Sequence, residues 1–256
     1  MIARPALSWD VSFYPDSDGE PMGDNSLQIK WILKLYSVLE ELFIDQPDVA
    51  VAGNMFWYPV EGSNNIVTAP DVMVIFDRPK MDRPSYMQWQ EEGVAPHFVM
   101  EILSLGNRPK EMEKKLRFYE QYGVEEYYLY DPYDYVLDAW RRSGKKLAKI
   151  RRTNGMVSPR LGIQFNIEAD GLHVMNPDGE EMLAPWERAV LHRREKERLE
   201  RELQMEKFRS TRALLLLEEG KRDLEGSRRE IEQLRLKLEG LTSQLKKLGV
   251  PLEDIV

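Results

Sequence analysis

The feature that most constrains this chain is a glutamate in the middle of an apolar run. Residues 97–104 read His-Phe-Val-Met-Glu-Ile-Leu-Ser, which places Glu101 in a segment typical of a buried β-strand. Both faces of this strand are otherwise apolar, as in the central strand of a sheet that is covered on both sides. A carboxylate there is costly unless a positive group compensates it. The sequence allows two such partners, a buried lysine or arginine and a metal ion.

A second carboxylate stands before an earlier apolar run. Asp71 enters the segment Ala-Pro-Asp-Val-Met-Val-Ile-Phe, residues 69–76. An aspartate after proline also commonly does no more than cap a turn. If the strands of Asp71 and Glu101 are neighbours, the two carboxylates are placed to hold one divalent cation between them.

The composition indicates which metal the chain could bind and in which compartment it is found. The 256 residues include no cysteine, and the three histidines are far apart in sequence. Oxygen ligands suited to Mg²⁺, with Mn²⁺ as a substitute, are therefore expected rather than a zinc site. No signal-like segment is present and no apolar run approaches about 18 residues, so we expect a cytoplasmic protein without a membrane span.

Hydrophobic periodicity predicts an α/β (α+β) body. Residues 26–44 have the pattern of an amphipathic helix with Ser26 as its N-cap, and residues 108–122 that of a second helix, ended by Gly123. Strand-like runs cover residues 49–52, 55–60, 72–76, 98–103, 127–130, 136–142, 147–152, 163–167 and 172–175. This order predicts a mixed sheet with a helix packed on each side.

The last quarter of the chain has the pattern of a coiled coil. A 3-4-3-4-3 spacing joins six apolar residues, which are Ile231, Leu234, Leu238, Leu241, Leu245 and Leu248. Upstream the seam is weaker, since Ser210, Gly220 and Ser227 take core positions. We therefore expect a homo-oligomer, with a dimer favoured. The predicted organisation is an irregular arm (1–25), a body (26–183), a coiled-coil helix (184–248) and a tail (249–256).

Lys115 is the third candidate for a chemical role. It shares the apolar stripe of the second predicted helix with Met112 and Tyr119, so its ammonium can reach the sheet near Glu101. The alternative is an exposed ion pair with Glu111, four residues earlier on the same helix.

Three segments, taken in order, resemble the Uma-type family of restriction endonucleases in the PD-(D/E)XK nuclease superfamily. They are Pro-Asp-Val-Met-Val from residue 70, Glu-Ile-Leu-Ser-x-Gly-Asn-Arg from residue 101, and Glu-Lys-Lys-Leu-x-Phe-Tyr-x-x-Tyr-Gly-Val-x-Glu-Tyr-Tyr-x-Tyr-Asp-Pro from residue 113. The resemblance covers roughly residues 10–182 and excludes the coiled coil. It implies a restriction-endonuclease-like fold and Mg²⁺-dependent hydrolysis of DNA.

The resemblance also implies roles for individual residues. Asp71, Glu101 and the carbonyl of Ile102 would bind the metal, and Lys115 would orient the attacking water or stabilise charge on the phosphate. The superfamily lysine, two residues after the acid, is Leu103 here, and the Uma-type pattern supplies Lys115 instead. Supporting roles are suggested for four polar residues, which are Gln28, Ser104, Asn107 and Asp131. Loop capping is the alternative for Ser104 and Asn107, and a simple turn for Asp131.

A basic segment offers a surface for DNA, the expected substrate. Seven cations lie within twelve residues of a predicted hairpin: Arg141, Arg142, Lys145, Lys146, Lys149, Arg151 and Arg152. They could equally form a solvated charged hairpin.

Residues 1–185 carry a net charge of −10 and residues 186–256 one of +2. The acidic body and the long tail also fit a different function, a non-catalytic nuclease-like scaffold that acts through its coiled coil in protein–protein interaction.

Overall fold

The computed structural model describes residues 13–15, 25–106 and 109–247. These residues form three α-helices, which are α1 (Ser26–Leu42), α2 (Pro109–Tyr122) and α3 (Pro185–Lys247). They also form eleven strands: β1 (Ala50–Gly53), β2 (Trp57–Tyr58), β3 (Val72–Ile75), β4 (Tyr86–Met87), β5 (Phe98–Ile102), β6 (Glu126–Asp131), β7 (Val136–Ser143), β8 (Lys146–Lys149), β9 (Met156–Val157), β10 (Gln164–Glu168) and β11 (Gly171–Met175). Most of the predicted arm, Asn107 and the predicted tail lie outside the described residues.

Six strands form the main sheet, in the order β1-β3-β5-β6-β7-β8. The β5–β6 pair is parallel, whereas the other pairs of this sheet are antiparallel. Strand β5 is therefore an inner strand, and all five of its residues are buried. The predicted mixed sheet is confirmed.

A core lies on each face of the sheet, because successive side chains of a strand point to opposite faces. On one face, Phe98 and Met100 of β5 pack in a cluster with Leu35 and Leu39 of α1 and with residues of β10 and β11. On the other face, Val99 packs in a cluster with Tyr119 of α2. Each of these side chains is fully or almost fully buried. Burial of one such aliphatic side chain stabilises the folded state by about 1.5–3 kcal/mol. The predicted helix on each side is confirmed.

The N-cap of α1 differs from the prediction by one residue. Asn25 is the cap, since its Oδ1 accepts hydrogen bonds from the backbone N–H groups of Leu27 at 3.1 Å and Gln28 at 3.0 Å. Ser26 is the first helical residue. Asparagine and serine are both favourable caps, so the local pattern did not distinguish these neighbours.

The C-terminal end of α2 is fixed by two features. Gly123 follows the helix with a φ of +102°, a conformation that favours glycine, as predicted. The guanidinium of Arg142 on β7 donates hydrogen bonds to the carbonyls of Val124 at 2.7 Å, Glu120 at 2.8 Å and Tyr119 at 3.2 Å. The Glu120 carbonyl lies in the last turn of α2, where the helix itself supplies no partner, and the Tyr119 carbonyl also accepts the N–H of Val124 at 3.1 Å. The bonds from Arg142 attach this end of α2 to the sheet.

Helix α3 begins within the N-terminal unit and continues beyond it. The chain divides into compact units at residues 1–188 and 189–256. In the first unit, Glu187 accepts a hydrogen bond from the ammonium of Lys34 at 3.1 Å, and Arg188 pairs with Glu41. None of the described helices combines the length and the apolar character needed to cross a membrane.

Strands β4 and β9 were not predicted from the sequence, whereas β2 lies within the predicted run of residues 55–60. Strand β4 pairs in parallel with β2, which brings Trp57 opposite Tyr86, and β9 adds two residues to the β10–β11 sheet. Such short segments do not have enough residues to show an alternating pattern.

We expect Arg142→Ala to destabilise the N-terminal unit by about 2 kcal/mol, because three carbonyls lose a charged donor. The matched control is Arg141→Ala, since Arg141 is exposed on the same strand and its loss should change stability by less than about 0.5 kcal/mol. Urea unfolding followed by tryptophan fluorescence measures both, because all six tryptophans lie within residues 1–188. Equal stability of the two variants would contradict the role of Arg142.

Candidate active site

The strands that carry the two carboxylates are neighbours. Strand β3 pairs with β5 in antiparallel register, with Val72 opposite Met100. Extending this register by one residue puts Asp71 opposite Glu101. Residues directly opposite each other in an antiparallel pair project from the same face of the sheet, so both carboxylates belong to the face covered by α2.

Asp71 is bound to the end of β5. Its Oδ2 accepts a hydrogen bond from the backbone N–H of Ile102 at 2.7 Å, and the residue is buried. This contact crosses from one strand to the next over 31 positions of the sequence. Asp71 therefore links the two strands next to Glu101. A residue that only capped a local turn would not make this contact.

Glu101 is almost fully buried, at 2% exposure, and both of its carboxylate oxygens have partners. Oε2 accepts a hydrogen bond from the ammonium of Lys115 at 2.8 Å, and Oε1 accepts one from the hydroxyl of Tyr119. The alternative of an ion pair between Lys115 and Glu111 is not the arrangement found. The structure thus provides a cationic partner for Glu101, in the form of the partly buried Lys115.

The two donors to Glu101 hold their protons firmly. Burial lowers the pKa of Lys115, but the nearby charges of Glu101 and Asp71 and the hydrogen bond to Glu101 outweigh it and leave that pKa raised. Burial, followed by the charge of Glu101, raises the pKa of Tyr119 well above its ordinary value. At neutral pH, Lys115 is therefore a cation rather than a base.

The hydrogen bond from Tyr119 to Glu101 was not predicted from the sequence. The sequence placed Tyr119 on the inward stripe of α2, where a tyrosine is compatible with packing alone. Its ring stacks on that of Trp57, with centroids 6.2 Å apart and an interplanar angle of 4°, and both residues are fully buried. The available signal was its position four residues after Lys115, which puts both groups on one face of the helix.

The carbonyl of Ile102 faces a buried amide from α1. Gln28 Nε2 donates a hydrogen bond to it at 3.0 Å, and Gln28 is itself buried. Gln28 Oε1 is also buried, and it has no hydrogen-bond partner within the described part of the protein. An unpaired buried oxygen costs free energy and points to a ligand or a water molecule at this position.

The donor set fits a hard divalent cation. The carboxylates of Asp71 and Glu101 and the carbonyl of Ile102 lie on neighbouring strand ends, and all are oxygen donors of the kind that Mg²⁺ and Mn²⁺ prefer. The Ile102 carbonyl has a second lone pair besides the one that Gln28 uses. The unpaired Gln28 Oε1 adds an acceptor beside that carbonyl.

The remaining suggested supporting residues differ in their positions. Ser104 is half-buried just beyond β5, and Asn107 lies outside the described residues. Asp131 Oδ1 accepts hydrogen bonds from the backbone N–H groups of Tyr133 at 2.9 Å and Asp134 at 3.2 Å. These contacts are those of a turn aspartate.

The basic hairpin is remote from the carboxylates. Strand register aligns Phe98 of β5 with Glu126 of β6 and Arg141 of β7, whereas Glu101 aligns with Leu129 and Asp138. The β7–β8 turn, with Lys145 and Lys146, therefore lies beyond the end of β5 opposite Glu101, roughly 10 Å or more along the strands. Lys149 of β8 lies opposite Trp140, nearer to the level of Glu101, but two strands separate β8 from β5. Arg142 is committed to the end of α2, and Lys149 pairs with Asp138 at 2.7 Å. The hairpin cations are not part of the carboxylate site.

One group of three potential metal ligands occurs elsewhere among the described residues. It comprises Glu168, Asp170 and His173 near the β10–β11 turn, with both acidic residues exposed. The two ring nitrogens of His173 already pair with Glu181 at 2.7 Å and Asp170 at 2.9 Å. No further feature there indicates a ligand.

Comparison with known proteins identifies the family. Residues 20–172 match the Uma2 family, whose description is "Putative restriction endonuclease". This match spans more than half of the chain, so the chain belongs to the Uma2 family, and the resemblance seen in the sequence is confirmed.

One similar solved structure is the crystal structure of "a putative nuclease belonging to DUF820" from Anabaena variabilis. The two chains are 15% identical, with a TM-score of 0.43, and the similarity covers 56% of this chain and 76% of the other. No curated protein matches the chain.

We expect Lys115→Met to destabilise the N-terminal unit by about 2 kcal/mol at pH 7, because it leaves Glu101 without its cation. The matched control is Lys114→Met, since Lys114 is exposed on the same helix and should contribute less than about 0.5 kcal/mol. Urea unfolding at several pH values tests this.

The pH dependence of Lys115→Met has a defined sign. A raised pKa in the folded state means that the stabilisation is complete below the ordinary lysine value of 10.5 and is lost as the pH rises through the folded value. The difference from wild type should therefore be constant near neutrality and shrink above pH 10.5. A difference that grows with pH in that range would contradict the account.

Proposed function

We propose that this chain is a divalent-metal-dependent DNA endonuclease of the PD-(D/E)XK type. The observation that carries the proposal is the convergence at the end of β5: Asp71, which immediately precedes β3, binds the N–H of Ile102, and Lys115 of α2 binds Glu101 of β5. Membership of the Uma2 family supports the nuclease class. Burying the carboxylate of Glu101 costs free energy, and the hydrogen bonds from Lys115 and Tyr119 offset that cost. A buried ionisable group held by specific partners in this way is often found at catalytic sites.

Asp71, Glu101 and the Ile102 carbonyl would hold Mg²⁺ or Mn²⁺. When bound, the ion would neutralise phosphate charge and lower the pKa of a coordinated water. Gln28 would fix the Ile102 carbonyl through its amide N–H, and Asp71 fixes the same peptide segment through the Ile102 N–H. The protein thus holds the donor atoms in place before a cation arrives.

Lys115 would act as an electrostatic group. Its raised pKa keeps it charged at neutral pH, so it suits the stabilisation of negative charge on a phosphate, or the orientation of the attacking water, rather than proton abstraction. Tyr119 would hold the other oxygen of Glu101 and so fix the carboxylate plane.

Membership of the Uma2 family supports DNA as the substrate, and the proposed metal site and Lys115 suit a phosphate group. The cations of the β7–β8 turn, Lys145 and Lys146, could contact DNA only away from the carboxylates. Lys110 and Lys114 are exposed on α2, the helix that carries Lys115, and are better placed to contact the backbone on either side of a bound phosphate.

A plasmid cleavage assay with Mg²⁺ or Mn²⁺, and with chelator as the blank, tests the proposal. We expect wild-type protein to cleave, and Asp71→Asn and Glu101→Gln each to lose about 100-fold or more of the rate, because each change removes a negative ligand. Lys115→Met should lose about 100-fold for the separate reason that phosphate charge loses its cation. Asp138→Asn is the control, since Asp138 forms an ion pair with Lys149 at the surface; it should stay within about twofold of wild type.

Absence of cleavage of double- and single-stranded DNA with either metal would contradict the proposal. So would cleavage that survives Glu101→Gln in protein that is folded by tryptophan fluorescence. The first of these results would favour the alternative of a non-catalytic scaffold, whose supporting observation is the long exposed helix α3.

A further inference from the structure

Helix α3 has an apolar face that the described part of the chain leaves uncovered. The helix has 63 residues, a length of about 95 Å. The described members of its C-terminal seam are Leu224, Ile231, Leu234, Leu238 and Leu241, each between 54% and 68% exposed. A single helix of this kind gains most of its stability from packing of such a face, so the face needs a partner.

The charges beside this seam identify the partner. If Ile231 is position a of the heptad, Asp223, Glu230 and Lys237 are at position g, and Lys221, Arg228, Arg235 and the uncharged Thr242 are at position e. In a parallel coiled coil, a g residue lies against the e residue five positions later on the other helix. Asp223 then meets Arg228, and Glu230 meets Arg235, so a second copy is complementary to the first.

The same charges disfavour an antiparallel arrangement. There, e positions face e positions, so in an antiparallel pairing centred near residue 228 the three cations Lys221, Arg228 and Arg235 would lie against their own kind. A spacing of five does not pair residues within one helix, where neighbours are three or four apart. The described ion pairs within α3 all fall between residues 195 and 209, which leaves the charges at 223–235 available to a partner helix.

Two polar core positions favour two strands over a larger bundle. Lys196 at a and Glu206 at d are charged and exposed. In a two-stranded coil their long side chains can extend to water, whereas the core of a larger bundle would bury their charges at a high cost. When the two helices are in register, Gly220 faces Gly220 and Ser227 faces Ser227 across the core. Each leucine or isoleucine of the seam then packs against the same residue of the other helix.

We propose that α3 forms a parallel, in-register, two-stranded coiled coil with a second copy of this chain. The two copies of the N-terminal unit are then attached at the same end of the coiled coil. The proposal does not depend on nuclease activity, since it is argued from the seam and charges of α3 alone.

Cysteine cross-linking of the full chain tests orientation and register. The chain has no cysteine, so a single introduced thiol reports alone. Ser227→Cys places the thiol at d, where it faces its equivalent in a parallel in-register dimer. Ser243→Cys, at the outward f position of the same helix, is the matched control. Under mild oxidation we expect a covalent dimer from Ser227→Cys at least about tenfold faster than from Ser243→Cys.

Equal cross-linking of the two variants, or none by Ser227→Cys, would overturn the parallel in-register arrangement. Sedimentation equilibrium of wild type should give about twice the chain mass of 30.0 kDa. A monomer at tens of micromolar, or a trimer or tetramer, would overturn the two-stranded state.

Charge reversal tests the e and g pairing with the same technique. Glu230→Lys turns two attractive pairs per dimer into repulsive ones and should raise the dissociation constant about tenfold. Glu232→Lys makes the same change at the outward b position and should alter it less than about twofold. Adding Arg235→Glu to Glu230→Lys should restore dimerisation. Equal effects of the two single variants, or no restoration, would overturn the pairing.

Discussion

The contact of Glu101 with Lys115 and Tyr119 is the interaction on which the rest of the site depends. An ionised carboxylate at 2% exposure inside a sheet is unstable without such partners, and α2 supplies both from its inward face. The sequence offered two compensating partners for Glu101, a cation from the protein and a metal. The protein cation and a metal ion are compatible with each other. Lys115 and Tyr119 compensate the charge of Glu101, while Asp71, Ile102 and Gln28 supply oxygen atoms at the adjoining end of β5.

Rigidity of the site comes from bonds between different elements. Strand β3 is joined to β5 through Asp71 and the Ile102 N–H, and α1 is joined to the same residue through Gln28. Arg142 holds the end of α2 on β7. A catalytic site needs donor atoms held within fractions of an ångström, and here three elements of secondary structure converge on one peptide segment. The long α3 helix takes no part in these contacts.

Local patterns in the sequence were enough to predict the elements of the site, but not their full contacts. The continuous apolar run of β5 predicted a strand covered on both faces with Glu101 inside it, and helical spacing predicted Lys115 on the inward stripe of α2. Asn25 was missed because an adjacent serine is an equally good cap. The position of the basic hairpin was not predictable, because register decides which end of the sheet its turn reaches. Tyr119 was missed because burial alone accounts for a tyrosine on an apolar stripe.

The central claim is that Asp71 and Glu101 together hold one divalent cation. An electron paramagnetic resonance titration with Mn²⁺ tests it most directly, in a His173→Ala background that removes the histidine of the exposed Glu168–Asp170–His173 group. The account predicts one bound Mn²⁺ per chain, lost in both Asp71→Asn and Glu101→Gln while the fold is kept. Undiminished binding in either variant, or no binding to the parent protein at millimolar Mn²⁺, would contradict it.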